Sequence, residues 1–322
     1  MSPKKVILAA PRGYCAGLDR AVQMVERALE TLGAPVYVRK EIVHNRHVVS
    51  ELEKRGAIFV ESEEDIPEGA VCIFSAHGVS PQVRQNAATR NLQVIDATGP
   101  LVTKVHLEAK RFARGGRKIV LVGHEGHEEI EGTAGEVPDQ TFVIESVDQI
   151  DSLPVDSAEP LAYLTQTTLS VDDTLEVVEA LRQRYSDITG PHSDDICYAT
   201  QNRQIAVKAL APECDVVLIV GAFNSSNSNR LVEVAKNSGT PAYLVPDETH
   251  LREEWLEGAE VIGVSSGASA PEVLVDRLLE KLAELGYGRV ETKTVTTEDV
   301  TFSLPPWLRK QREEEETAAE VG

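Results

Sequence analysis

Several thiol, imidazole, hydroxyl and carboxyl side chains lie in short turns that directly follow apolar segments of the sequence. These candidate site residues are Cys15, His44, His77, His127, Glu129, Thr167, Thr168, Cys197, Ser225, Ser226, Asn227 and Ser269. Thiolates are soft ligands that suit iron–sulfur clusters or zinc. Hydroxyl, amide and imidazole groups at such turns suit phosphate oxygens. The residue types therefore predict a site that combines a metal centre with a bound anion.

The densest group of hydrogen-bond donors is the run Ser-Ser-Asn-Ser-Asn at residues 225–229, which follows an apolar strand. Before a helix, this run would direct side-chain and backbone donors at an anion near the helix N-terminus. Such a site binds a diphosphate without many arginines or lysines. Histidines from the other turns add charge, because a neighbouring phosphate favours the protonated imidazole.

The chain as a whole is acidic, so any anionic ligand must be held by local donors. Its 322 residues include 32 Lys and Arg against 52 Asp and Glu, which gives a formal net charge of −20. This charge repels the phosphate backbone of nucleic acids, and the sequence has no basic stripe to override it. We therefore expect a small anionic ligand and no nucleic acid.

A threefold pattern organises the elements that must position these residues. Each third of the chain has three apolar segments that end in polar turns, with helical segments between them. The first turns of the three thirds centre on Cys15, Gly99 and Cys197. Continuous apolar strands that alternate with helices predict an α/β fold with mostly parallel sheets, whose ligands lie at the carboxyl ends of the strands.

The pattern predicts three lobes, at residues 1–98, 99–196 and 197–308, whose polar edges converge on one central site. Residues 309–322 are charged and poor in aromatic residues, which is typical of a disordered tail without a catalytic role.

Composition and segment lengths predict a soluble cytoplasmic protein. No apolar run approaches the roughly 18 residues of a membrane span, and the N-terminal apolar stretch is too short for the core of a signal peptide. In that compartment cysteines are more often buried thiols or metal ligands than disulfides. Cys72 and Cys214 lie in or beside predicted strands and away from the polar turns, so we expect them in the core.

The turn motifs resemble those of the 4-hydroxy-3-methylbut-2-enyl diphosphate reductase (LytB) family of the non-mevalonate isoprenoid pathway. The resemblance covers essentially the whole chain and is highly specific. The matching segments, in order, are PRGYCAGLDRAV, FSAHGVSP, DATGPLVTKVH, GHEGHEEIEGT, TQTTLSVDDT, DDICYATQNRQ, NSSNSNRL and SSGASAP.

The resemblance implies a three-lobed, pseudo-symmetric fold around a 4Fe-4S cluster that three cysteines hold and whose fourth iron is open to the substrate hydroxyl. Cys15 and Cys197 match cluster ligands. His127 and Thr167 match residues near the substrate hydroxyl, and Glu129 matches the proton source. The residues that match the diphosphate-binding set are His44, His77, Ser225, Ser226, Asn227 and Ser269, and we add their neighbour Thr168 to the predicted substrate-binding residues.

Two positions depart from the family motifs. Where the family has the middle cysteine in DATCP, this chain has Gly99, and where the family usually has proline, this chain has Glu128. Cluster retention depends on thiolate coordination. Three explanations of Gly99 stay open: an introduced substitution, a natural lineage in which water or an external ligand replaces the thiolate, or a relative that has lost the cluster.

The activity implied by the resemblance is an iron–sulfur oxidoreductase reaction that removes the allylic hydroxyl with two electrons and two protons. The products would be isopentenyl and dimethylallyl diphosphates. The sequence has no G-x-G-x-x-G fingerprint for bound NAD, so we expect a small redox protein of the ferredoxin or flavodoxin type to supply the electrons. The alternative is a cluster-free protein that only binds isoprenoid diphosphates, or an inactive paralogue.

Overall fold

The computed structural model describes residues 4–308, so the predicted tail at 309–322 lies outside the described residues. Over this range the α/β fold with parallel sheets is confirmed. Every strand pair found among these residues is parallel, and the strands form three separate sheets.

The first sheet contains five of the described strands and is built from both ends of the chain. Its strands are β1 (Lys5–Ala10), β10 (Val216–Val220), β11 (Ala242–Val245), β12 (Val261–Ser266) and β13 (Arg289–Thr294). They lie in the order β11-β10-β12-β1-β13. All five residues of β10 are buried, as expected for a central parallel strand that is covered on both faces.

The second and third sheets each contain four of the described strands. The second sheet consists of β2 (Val36–Arg39), β3 (Ala57–Val60), β4 (Val71–Phe74) and β5 (Gln93–Asp96), in the order β3-β2-β4-β5. The third sheet consists of β6 (Lys118–Val122), β7 (Thr141–Ile144), β8 (Leu161–Thr165) and β9 (Ile188–Thr189), in the order β7-β6-β8-β9.

Helices connect the strands, as parallel pairing requires. The α-helices whose two ends are both described are α1 (Ala16–Leu32), α2 (Arg46–Lys54), α3 (Pro81–Thr89), α4 (Pro100–Arg114), α5 (Glu128–Ala134), α6 (Val171–Arg184), α7 (Tyr198–Leu210), α8 (Ser226–Asn237) and α9 (Glu272–Glu284). In the described part of the chain, no helix is both long enough and apolar enough to cross a membrane.

The chain divides into two compact units. Of the described residues, the larger unit contains 4–15, 112–125 and 140–299, with the first and third sheets. The smaller unit contains 16–111, 126–139 and 300–308, with the second sheet. Each unit carries one group of the candidate site residues.

Two details differ from the sequence prediction. The predicted first lobe, residues 1–98, included β1, but β1 pairs with β12 and β13 in the first sheet. The sequence of a short apolar strand does not specify which sheet the strand joins, so the repeat alone could not assign β1 to the first sheet.

The second difference concerns the segment before Cys197, where the sequence predicted a strand. Residues 190–197, all of them described, contain no strand. The buried side chain of Asp195 accepts a hydrogen bond from the backbone N–H of Thr165 at 3.0 Å, so this segment is fixed to the end of β8 by a side chain.

Candidate functional site

The larger unit brings the two candidate thiol ligands into turns that also carry candidate anion-binding residues. The backbone N–H of Cys15 donates to the Ala268 carbonyl at 3.2 Å, and that of Cys197 donates to the Thr167 carbonyl at 2.9 Å. Ala268 directly precedes Ser269. Each of the two cysteines is therefore joined through its backbone to a turn that carries a predicted substrate-binding residue.

Cys197 is half-buried, and its thiol lies within electrostatic range of Cys15. Burial, together with the charge of Cys15, raises the pKa of Cys197 to about 11. A metal centre must compete with this proton, because only the thiolate ligates. Both cysteines lie at the start of a helix: α1 begins directly after Cys15, and Cys197 is the N-cap of α7.

A buried arginine joins these two turns, and the sequence analysis missed it. Arg203, in α7, is 0% exposed. Its Nε and Nη2 atoms donate to the Gly13 carbonyl at 2.9 and 2.6 Å, and Nη2 also donates to Tyr14 O at 3.1 Å. Nη1 bonds Glu298 at 3.0 Å and the Ala199 carbonyl at 2.8 Å. The guanidinium thus fixes the loop before Cys15 to the helix that Cys197 begins.

Hydroxyl and amide groups from three turns of the larger unit form one cluster at the N-terminus of α8. Ser225 is the N-cap residue of this helix, and Ser269 donates to its Oγ at 3.5 Å. Thr168 Oγ1 donates to Ser226 Oγ at 3.0 Å. Asn227 accepts a hydrogen bond from the Ala268 N–H at 2.9 Å. The structure therefore brings together all five of the residues predicted here.

Close packing behind this cluster explains two further glycines. A Cβ atom at Gly221 or at Gly267 would lie 2.1 Å from Ser228 Oγ. Ser228 is fully buried, and its Oγ donates to Ser225 Oγ at 3.0 Å. The Ser228 side chain needs both glycines to reach the N-cap residue. The SSGAS motif around Gly267 therefore forms a polar turn and also leaves room for the buried Ser228 side chain.

The smaller unit contains the candidate histidines. The rings of His44 and His77 stack with their centroids 4.1 Å apart, and His127 lies edge-on to them at 5.6 and 5.7 Å. Burial, followed by the charge of His77, lowers the pKa of His44. These three residues follow different strands and were predicted to act on one ligand.

The N-terminus of α5 positions the two adjacent glutamates. His127 is the N-cap, and its Nδ1 accepts the Glu129 N–H at 3.1 Å. The side chain of Glu129 is buried. Glu128 Oε2 lies 3.3 Å from His77 Nδ1 and accepts from Ser75 Oγ at 3.2 Å. Burial alone would raise the pKa of Glu128, but the hydrogen bond and charge of His77, with His44 and Ser75, hold it below its usual value.

Gly99 lies in the smaller unit, directly before α4, and its N–H donates to the Ala76 carbonyl at 2.9 Å. A Cβ atom added here would lie 3.4 Å from that carbonyl oxygen and 3.7 Å from Val102, which is ordinary van der Waals contact. The larger unit thus offers two thiols that could ligate a metal centre, and the backbone at Gly99 has room for a Cβ atom.

The other two cysteines lie where the sequence predicted. Cys72 is fully buried in the core of the second sheet, and Cys214 packs against the core of the first sheet. Burial raises the pKa of each thiol to about 12. Cys72 lies within β4 and Cys214 precedes β10, so neither is in a turn at the carboxyl end of a strand.

Comparison with known proteins gives consistent matches over nearly the whole chain. The LytB protein family model matches residues 6–283. A 4-hydroxy-3-methylbut-2-enyl diphosphate reductase of Mycolicibacterium paratuberculosis is 59% identical over 310 residues, 96% of this chain and 93% of the relative. One of Nocardia farcinica is 58% identical and covers 96% of this chain and 92% of its own.

Solved structures give the same result. The E-1-hydroxy-2-methyl-but-2-enyl-4-diphosphate reductase from Plasmodium falciparum matches with a TM-score of 0.93 and 37% identity, and covers 98% of this chain and 99% of its own. A structure described as (E)-4-hydroxy-3-methyl-but-2-enyl diphosphate reductase, the terminal enzyme of the non-mevalonate pathway, matches with a TM-score of 0.62 and 32% identity, over 87% and 99% of the two chains.

The bonds of Arg203 predict a large cost for its removal. Arg203→Met leaves Glu298 and the Gly13 and Tyr14 carbonyls without their buried partner, so we expect a loss of about 3–5 kcal/mol in the free energy of unfolding. Urea-induced unfolding measures this loss, and Arg203→Lys should lose less because it keeps the charge. The control is Arg277→Met, an exposed arginine on α9. A loss no larger than that of the control would contradict the role assigned to Arg203.

The packing of Ser228 predicts a coupled pair of substitutions. Gly267→Ala should destabilise the protein by about 1–3 kcal/mol, as overpacking of a filled core does. Ser228→Ala removes the hydroxyl that the new methyl group would meet, so the same Gly267→Ala change should cost less in that background. A double-mutant cycle of unfolding free energies measures the coupling. Strict additivity of the two changes would show that the contact does not limit this position.

Proposed function

Because the chain belongs to the LytB protein family, we propose that it reductively removes the allylic hydroxyl group of 4-hydroxy-3-methylbut-2-enyl diphosphate. The products are isopentenyl and dimethylallyl diphosphates. The observation that carries this proposal is the pairing within the larger unit: the turn of Ala268 and Ser269 holds Cys15, and the turn of Thr167 and Thr168 holds Cys197. Soft metal ligands and anion-binding hydroxyls thus share the same two turns.

The diphosphate is bound by neutral and titratable donors. In the larger unit these are Thr168, Ser225, Ser226, Asn227 and Ser269, which lie where the α8 helix dipole favours negative charge. In the smaller unit, His44 and His77 supply imidazole N–H groups. Hydroxyls, an amide and imidazoles can hold an anion in a chain of net charge −20 without a cluster of lysines.

Cys15 and Cys197 would hold an iron–sulfur cluster of the 4Fe-4S type, less firmly than three thiolates do, because Gly99 supplies no ligand. When bound, this group would supply two electrons, one at a time, to the allylic system and a Lewis-acidic iron for the hydroxyl oxygen. The chain's own contribution is to fix the two thiols. Arg203 ties the Cys15 loop to α7, and the backbone of Thr167 anchors Cys197.

Glu129 would donate one proton to the leaving hydroxyl, so that the carbon–oxygen bond breaks and water departs. Two electrons and a second proton, which bonds to an allylic carbon, complete the balance. The N-cap bond between His127 and the Glu129 N–H fixes the start of α5, so that the buried Glu129 carboxyl has a defined position. His127 and Thr167 bind the hydroxyl end of the substrate. General acid catalysis of this kind contributes about 10²–10⁴-fold to a rate.

The electrons come from a small redox protein of the ferredoxin or flavodoxin type. We place the protein in the cytoplasm, where its four free cysteines remain thiols.

Replacing the proton donor tests the assignment of Glu129. Glu129→Gln should keep the affinity for the substrate diphosphate and lower kcat by about 10²–10⁴-fold. The control is Glu131→Gln, which changes an exposed acid on the same helix. Turnover and KM are compared in preparations with equal iron and sulfide content. Full turnover of Glu129→Gln would end its role as proton source.

Restoring the third thiol tests the cluster. Gly99→Cys should raise the iron and sulfide bound after anaerobic reconstitution to about four each per chain, because a third thiolate strengthens cluster retention and a Cβ atom at this position makes only ordinary contacts. Gly288→Cys, which adds a thiol at an exposed glycine, is the control. Stoichiometric uptake and turnover by the unaltered chain would exclude a protein that only binds diphosphates. If neither the unaltered chain nor Gly99→Cys takes up iron and sulfide, the reductase proposal fails.

A further inference from the structure

The smaller unit contains a second group of side chains that can ligate a metal. One ligand atom each from His44, His77 and Glu128 lies within 4.8 Å of the other two. Their side chains are only 12–17% exposed. None of them is a cysteine, so this group differs in chemistry from the thiol pair of the larger unit.

Two imidazoles and one carboxylate form a donor set that zinc takes in catalytic sites, where a fourth position stays open. The geometry of one ligand pair already fits. Two ligands at about 2.0–2.1 Å from a tetrahedral zinc ion lie about 3.3 Å from each other. His77 Nδ1 and Glu128 Oε2 are 3.3 Å apart.

The surroundings supply the outer contacts that metal ligands need. Glu41 Oε2 lies 3.2 Å from His44 Nδ1, which is the carboxylate–histidine arrangement that orients a ligating imidazole. Ser75 Oγ donates to Glu128 Oε2 at 3.2 Å and lies 3.4 Å from His77 Nδ1. Glu41 is therefore an outer partner that orients His44, and Ser75 is a hydroxyl beside the facing atoms of His77 and Glu128.

We propose that His44, His77 and Glu128 bind a divalent transition-metal cation of the zinc type, with its fourth position open. Glu128 stands where the family motif usually has proline, so the site is a property of chains that carry this acid. It goes beyond the proposed reductase function. Only one consequence rests on that function: the cation and the substrate diphosphate compete for His44 and His77.

Cobalt(II) is the probe, because its visible spectrum reports tetrahedral coordination. The full chain is titrated anaerobically, before cluster reconstitution, as the unaltered protein and as Cys15→Ser/Cys197→Ser. The second protein removes the thiol pair, whose charge-transfer bands in the near ultraviolet would otherwise reveal thiolate ligation. We expect one cobalt ion per chain, tetrahedral visible bands in both proteins, and displacement by zinc.

Glu128→Gln should weaken cobalt binding by at least about tenfold, and Glu41→Gln by a smaller factor. Glu128→Pro, which restores the residue usual in the family, should weaken it as well. Glu131→Gln on the same helix is the matched control and should bind as the unaltered chain does. Equal binding by Glu128→Gln, or octahedral spectra throughout, would overturn the proposal. The far-ultraviolet circular dichroism of each variant shows that it is folded.

The competition is tested separately on reconstituted enzyme. Zinc should raise the KM for the substrate diphosphate in the unaltered chain by a larger factor than in Glu128→Gln. If cobalt binds as expected and this difference is absent, the metal site stands and the placement of the diphosphate at His44 and His77 fails.

Discussion

The buried guanidinium of Arg203 is the constraint on which the thiol site depends. Its N–H groups donate to the Gly13 and Tyr14 carbonyls in the loop before Cys15. Arg203 lies in α7, which begins directly after Cys197. A buried charge is costly unless it is paired and fully hydrogen-bonded. Arg203 meets both conditions through Glu298 and three backbone carbonyls. The buried charge keeps these partners only if the Cys15 loop and the start of α7 stay in this arrangement, so the guanidinium stabilises that arrangement.

The sequence predicted well what depends on strand ends. Parallel strands place their carboxyl ends at one edge, so Thr168, Ser225 and Ser269 could be predicted to meet although they are far apart in the chain. The same reasoning could not assign β1 to its sheet, because pairing partners are chosen by long-range packing. That all three lobes converge on one site stays a prediction.

Arg203 shows why the rest could not be predicted. The arginine lies in a helix whose neighbouring positions are a mixture of polar and apolar residues, and nothing local marks it as buried. Its partners at Gly13 and Tyr14 are about 190 positions away in the chain. A signal was present, however: the motif ATQNRQ follows Cys197 directly. An arginine less than two turns from a candidate ligand is a reasonable positioning residue.

A carboxylate, that of Glu128, lies among the histidines of the smaller unit that are predicted to bind the diphosphate. A diphosphate that binds His77 must compete with a carboxylate, because Glu128 already lies beside this ring. An uncharged residue at this position would leave the imidazole to the anion alone. Glu128 therefore makes the site more receptive to cations and less receptive to anions.

The local fold does not require a glycine at position 99. Gly78 shows the contrast: its φ is +83°, and a Cβ atom there would lie 3.1 Å from Val102 and 3.2 Å from His106. Gly99 has no left-handed φ, and a Cβ atom would make only ordinary contacts. Glycine also loses more backbone freedom on folding than other residues, so it offers no gain in stability here. The local fold of this turn therefore does not depend on the glycine, since a Cβ atom would make only ordinary contacts there.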